Sequence, residues 1–190
     1  ILFLTFYFEP DLCAGSFRNS PLAKEIANQI KNKGIIVEVI TTFPNRYSSY
    51  ETEADEFERI DNLYIKRVRI PSHNSGIMDQ VRSFFIFYKE VRRITNNQNY
   101  ELVYASTSRL FTGWLGSQIS RKQNVPFYLD VRDIFLDTIK DINISKLVKI
   151  LVYTPLKWVE FRTFSYADHI NLISKGFENY FKIYKNPEKS

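Results

Sequence analysis

The strongest constraint on this sequence is its opening run, "ILFLTFYF" at residues 1–8. The run does not alternate polar with apolar, so a strand made from it has two faces to bury. A parallel sheet with helices on both sides buries both. Comparable strands follow at "IIVEVITTF", "LYIKRVRI", "ELVYAS", "PFYLDV" and "ADHINLIS", which makes six. Between them lie helical stretches. "NSPLAKEIANQIKNKG" has an Asn or Ser cap, Pro21 in the first turn, apolar residues at four-residue spacing and Gly34 as its stop. "GIMDQVRSFFIFYKEVRRIT", "LFTGWLGSQISRK" and a longer stretch over about 143–165 follow. Residues 48–62, acidic and poor in apolar side chains, read as an exposed excursion. Strand and helix in strict alternation predict an α/β fold with a doubly wound, mostly parallel sheet.

Composition narrows the function classes. The chain has 190 residues, enough for one domain with a proper core, and 16% of them are aromatic. Disorder is excluded, and no stretch reaches the length of a transmembrane span. One cysteine, Cys13, excludes an internal disulfide and fits a reducing, cytoplasmic compartment. The net charge of +5 suits an anionic partner without naming it. A nucleic-acid binder is disfavoured, since no stripe of clustered Lys and Arg with interleaved aromatics lies on one sheet face. Both histidines are isolated, so no metal site is expected, and His169 in its apolar strand reads as a core residue.

In such a sheet ligands sit at the carboxyl ends of the strands, near the point where strand order reverses. The polar residues there are Glu9, Asp11, Gly15, Ser16 and Arg18 after the first strand, and Thr42, Asn45 and Arg46 after the second. Ser106, Thr107, Ser108 and Arg109 follow the strand at 101–106, and Asp130, Arg132 and Asp133 end the strand at 126–131. Arginines at several strand ends point to an anion in the crevice, because guanidinium pairs with phosphate oxygens in bidentate fashion. The first turn has one glycine and one arginine where dinucleotide and Walker loops have several glycines. Alone it is also readable as a tight turn.

These residues carry a resemblance. "FEPDLCAGSFR…LAKEIANQIKNKGIIVEVITTFPNRY" is similar to the amino-terminal half of family 4 glycosyltransferases of the GT-B type. The likeness continues through "IPSHNSG", "ELVYASTSRLFTG", "VPFYLDVRDIF" and "SYADHINLIS". The branch it most resembles builds bacterial surface polysaccharide and includes N-acetylfucosamine transferases. Two departures stand out: Arg109-Leu110 replaces a frequent Pro pair, and Ile134-Phe135-Leu136-Asp137 replaces a common "LWPE".

The resemblance implies that residues 1–190 form one Rossmann-like, acceptor-side domain, with a donor-binding carboxyl-terminal domain outside this chain. It implies a nucleotide-sugar donor, no separate cofactor, and a glycan or polyprenyl-diphosphate-linked acceptor. Gly15 and Ser16 would line the diphosphate side of the cleft, with Arg18 a phosphate ligand or an anchor for the loop. Asp130 or Asp133 would orient a sugar hydroxyl or accept the acceptor proton, held by Arg132. Asn45, Arg46, Ser108 and Arg109 would meet the acceptor. The rival reading is a non-catalytic sugar- or anion-binding module.

A lipid-linked acceptor further implies peripheral association with the inner face of the plasma membrane. On an ideal helix Lys146, Lys149, Tyr153 and Lys157 form one stripe, opposite a broad arc of Ile144, Leu147, Val148, Leu151, Val152, Trp158 and Val159. Pro155 should kink or divide this helix. The lysines, with the arginines of 82–93 ("RSFFIFYKEVRR"), would form a basic face that docks on an anionic surface; alternatively the apolar arc packs on the sheet and the lysines simply face water.

Overall fold

The computed structural model describes residues 1–45, 52–71, 77–107, 109–136 and 146–184. Seven strands form one sheet: β1 (Leu2–Leu4), β2 (Val37–Thr42), β3 (Phe57–Ile60), β4 (Leu63–Val68), β5 (Val103–Ser106), β6 (Phe127–Val131) and β7 (His169–Leu172). Their order is β3-β4-β2-β1-β5-β6-β7, parallel throughout except for the antiparallel β3–β4 pair. The opening run puts β1 at the centre, fully buried, as its doubly apolar pattern requires.

Strand β3 corrects the sequence reading, because it lies inside the acidic stretch taken for an excursion. It is an exposed edge strand, so its polarity hides it. Asp61, at φ 51°, turns the chain back into β4.

Helix α1 (Ala14–Ile30) covers one face of the sheet. Its Ala23 and Ala27 pack on Phe3, Val37, Val39 and Ile65. Helices α2 (Ile77–Thr95), α3 (Leu110–Gln123) and α4 (Lys146–Phe164) share the other face, where Phe87, Leu115, Ile119 and Phe164 meet Leu4, Ile40 and Leu129. A short α5 (Glu178–Phe181) follows β7 and seals the end of that core with Phe181. Two glycines bring α3 tight onto the strands. A Cβ on Gly116 would lie 2.8 Å from the Ala105 Cβ, and one on Gly113 would lie 2.9 Å from Thr107 Cγ2.

Helix α4 departs from expectation. It runs unbroken through Pro155. Its described side chains depart in part from the expected arrangement: of the apolar arc Val159 is buried, but Leu151, Val152 and Trp158 are exposed, and so is Phe161. Glu160, Thr163 and Phe164 turn inward with Val159. The buried polar groups are satisfied, which is what permits this face to be the inner one. Thr163 Oγ1 donates to the Val159 carbonyl, and the Tyr180 and Tyr184 hydroxyls donate to Glu160. Lys157 is exposed, while the side chains of Lys146 and Lys149 lie outside the described residues.

Candidate functional site

Strand β1 lies between β2 on one side and β5 on the other, so the chain reverses direction across the sheet at its carboxyl end. That is where an open α/β sheet holds a ligand. The segment after β1 is tied down by side chains. Asn19 Nδ2 donates to Thr5 Oγ1, the Glu9 N–H donates to Ser20 Oγ, and Thr42 Oγ1 donates to the Phe6 carbonyl.

These bonds explain a second correction. Asn19 and Ser20 were the expected caps, with Gly15, Ser16 and Arg18 in the loop before them. The helix starts five residues earlier than Asn19, at Ala14. Asn19 and Ser20 point inward to the β1 segment instead, and Pro21 sits inside the helix. Gly15 and Ser16 therefore occupy the first turn of α1; Gly15 is half-buried and the Ser16 side chain is buried. Cys13 at the N-cap makes no side-chain capping bond. First-turn N–H groups have no partner within a helix, so the amino end of α1 offers them with its positive dipole.

Arg18, one turn on, leans across to β6. Its Nη2 donates to Asp130 Oδ1 at 3.0 Å. Asn171 Nδ2, on β7, donates to the same oxygen at 2.6 Å. Asp130 is 1% exposed and Arg18 38%, so the carboxylate is enclosed while the guanidinium reaches the surface. The pair raises the Arg18 pKa through its bond to Asp130. Beside it Tyr104 is held neutral, pushed well above the ordinary tyrosine range by burial and then by the Asp130 charge. Tyr128 shifts the same way for the same two reasons. Phe3, Tyr104, Tyr128 and His169 stack in a row across β1, β5, β6 and β7, with centroids 4.1, 5.5 and 4.5 Å apart. His169 is exposed at the end of this row and is not a core residue.

The expected Asp-Arg-Asp cluster takes a different form. The described bonds on Asp130 come from Arg18 and Asn171 and not from Arg132. Arg132 is fixed through its backbone: its N–H donates to Thr107 Oγ1 at 3.1 Å, and that hydroxyl donates to the Asp130 carbonyl. Its Nη1 is buried without a partner among the described residues. Asp133, just past the strand, is exposed.

Arg109 caps the start of α3 and reaches back to β1. Its Nη2 donates to the Tyr7 hydroxyl at 2.9 Å, and its guanidinium lies 4.3 Å from the Phe6 ring centre. Asn45 is committed to the frame: its N–H donates to Asp11 Oδ2 and its Nδ2 to Thr42 Oγ1 and the Phe43 carbonyl. Arg46 and Ser108 lie outside the described residues. Sequence reasoning missed Asn171, Tyr104 and Tyr7, which complete these contacts. The alternation of β5 and β7 was the available signal, since it puts Tyr104 and Asn171 on the α1 side of the sheet.

No protein-family model matches the sequence, and no curated protein matches it. Among solved structures the chain is similar to a sucrose-phosphate synthase from Thermosynechococcus elongatus. The TM-score is 0.60 at 12% identity, over 96% of this chain and 80% of that one. At that identity the likeness is one of fold: the chain has a Rossmann-like α/β sheet matching that of a GT-B domain.

Proposed function

We propose that this chain is the acceptor-side domain of a glycosyltransferase that moves a sugar from a nucleotide-sugar donor to a glycan acceptor. The observation that carries the reading is Arg18, one turn into α1 and held by the enclosed Asp130. A fixed cation in the first turns of a helix at a switch point suits a diphosphate, whose oxygens accept from a guanidinium and from first-turn N–H groups. Gly15 lets the backbone come close, and Arg18 meets the phosphates while Asp130 and Asn171 position it. Ser16, with its side chain buried, contributes through its N–H alone. Charge stabilisation by such a preorganised group accelerates transfer where negative charge builds on the leaving diphosphate.

Asp133, exposed beside the same strand end, is then the carboxylate available to orient a sugar hydroxyl or take the acceptor proton, with Arg132 fixing the turn. Arg109 and Asn45, together with Arg46 and Ser108, line the acceptor side in this reading. A second domain completes the donor site, and the sugar itself serves without a cofactor. The family resemblance extends the proposal to retaining chemistry of the family 4 kind. It also extends it to an acceptor on polyprenyl diphosphate, in the synthesis of surface polysaccharide such as O-antigen or capsule. The protein would then work in the cytoplasm, against the inner face of the membrane.

A donor screen with the complete protein and membranes of its host tests this. The expected result is label from one nucleotide sugar passing into the lipid fraction. Donor binding without transfer would overturn the reading in favour of a non-catalytic sugar-binding module.

A further inference from the structure

Strand β4 carries a buried arginine near its carboxyl end. Leu63 and Ile65 pack with α1, so by strand alternation Arg67 faces the same side, one pleat nearer that end. Arg67 is 4% exposed. A guanidinium stays charged at any depth, and a buried charge is costly unless acceptors surround it. An aliphatic side chain would cover the strand without that cost.

The acceptors on Arg67 come from separate pieces of chain. Its Nη1 donates to the Asp55 carbonyl at 2.9 Å, just before β3. Its Nη2 donates to the Glu58 carboxylate on β3 at 3.0 Å and to the Glu9 carbonyl at 2.9 Å. Glu9 lies between β1 and α1, and α1 holds it from the other side. Its N–H donates to Ser20 Oγ at 2.8 Å, and its carboxylate pairs with Lys24. The backbone of this one loop residue is thus clamped between β4 and the helix, five residues before α1 begins at Ala14. At its depth Arg67 does not itself meet a ligand; what it fixes is the loop.

We propose that Arg67, with Glu58 as its counter-ion, is a positioning residue for the diphosphate site. It sets the backbone at Glu9, and through Glu9 the amino end of α1 and Arg18. The edge strand β3 touches no proposed ligand, yet it is coupled to the site across β4 and β2 because its carboxylate holds this guanidinium. That gives the short, polar β3 a use beyond closing the sheet. The consequence for binding rests on the diphosphate reading; the clamp itself rests on the hydrogen bonds alone.

Two measurements on the chain separate the clamp from the ligand. The variants are Glu58→Gln, which keeps size and loses charge, Arg67→Lys, which keeps charge but has one nitrogen for three acceptors, and Ser20→Ala, which releases the Glu9 N–H. Without ligand, backbone hydrogen exchange should speed up at residues 8–18 in all three, with α3 and β6 as in the parent. Pyrophosphate titration should then show about threefold weaker binding in Glu58→Gln and about tenfold in Arg67→Lys, as for residues that act on a site without touching its ligand. Ser20→Ala combined with Arg67→Lys should weaken binding by less than the product of the two, since both act through Glu9. Should Arg67→Lys lose its circular dichroism, the other two variants carry the test. A parent that takes no pyrophosphate refutes the diphosphate reading; faster exchange confined to residues 8–18 still supports the clamp, and its absence overturns it. The proposal is also overturned if exchange speeds up evenly over the whole chain. Variants that bind pyrophosphate as tightly as a binding parent, or losses that simply multiply, would overturn it too.

Discussion

Asp130 shows how burial assigns a role that residue type leaves open. An exposed carboxylate at a strand end can meet a substrate; one that is 1% exposed acts through what it holds, here Arg18. Removing Arg18 leaves Asp130 enclosed with Asn171 as its described donor, and a buried charge that loses its partner is costly. Arg18→Ala should therefore lose about 2–3 kcal/mol at neutral pH, less than for a fully buried pair because Arg18 is partly solvated. Urea denaturation of the parent and of Arg18→Ala at pH 7 checks this; an unchanged midpoint would contradict it. The sequence singled out Arg18 and Asp130 separately but paired Asp130 with Arg132, two residues away. The true partner lies 112 positions earlier, and the strand order that joins β1 to β6 through β5 is invisible to local spacing.

Among the elements, α3 and α4 mark the two limits of periodicity. Helix α3 packs through glycines, and the two should respond differently to a methyl group. At Gly116 the new Cβ meets the Ala105 Cβ, which has no rotamer to move; at Gly113 it meets the ends of Thr107 and Leu129. Gly116→Ala should cost about 2–3 kcal/mol and Gly113→Ala about 1–2, as for other overpacked sites. Thermal unfolding of the two variants checks the order, and a reversed order would contradict this packing. In α4 the apolar positions were legible as one arc, but its described members divide: Leu151, Val152 and Trp158 are exposed while Val159 is buried. What sits inward includes Glu160 and Thr163, polar groups whose partners Tyr180 and Tyr184 come 20 and 24 residues later. A count of apolar residues cannot see that a buried carboxylate will be satisfied. Likewise α1 begins before its best capping residues, because Asn19 and Ser20 serve the β1 segment instead. The alternation of strands and helices, by contrast, was legible from the first eight residues onward, since doubly apolar runs have few other uses.

For the whole molecule, tyrosines set the alkaline limit. Burial pushes Tyr100, Tyr104, Tyr180 and Tyr184 above the ordinary value, with Glu38, Asp130 and Glu160 adding to it. A raised folded pKa means that the stabilisation is present below the unfolded value near 10 and is lost as pH rises beyond it. The urea midpoint should stay level to about pH 9.5 and fall steeply above 10; a midpoint unchanged to about pH 11 would contradict this. The proposed function stands on one narrower point: the carboxyl edge of the sheet at α1 and Arg18 receives a diphosphate. Titrating pyrophosphate into the isotope-labelled chain and following its backbone amides by NMR tests that claim without knowledge of the donor sugar. The predicted result is shifts concentrated at Ala14–Arg18 and around Asp130, saturating at millimolar concentration and absent in Arg18→Gln. Shifts confined to other regions, or a response that Arg18→Gln leaves intact, would contradict it.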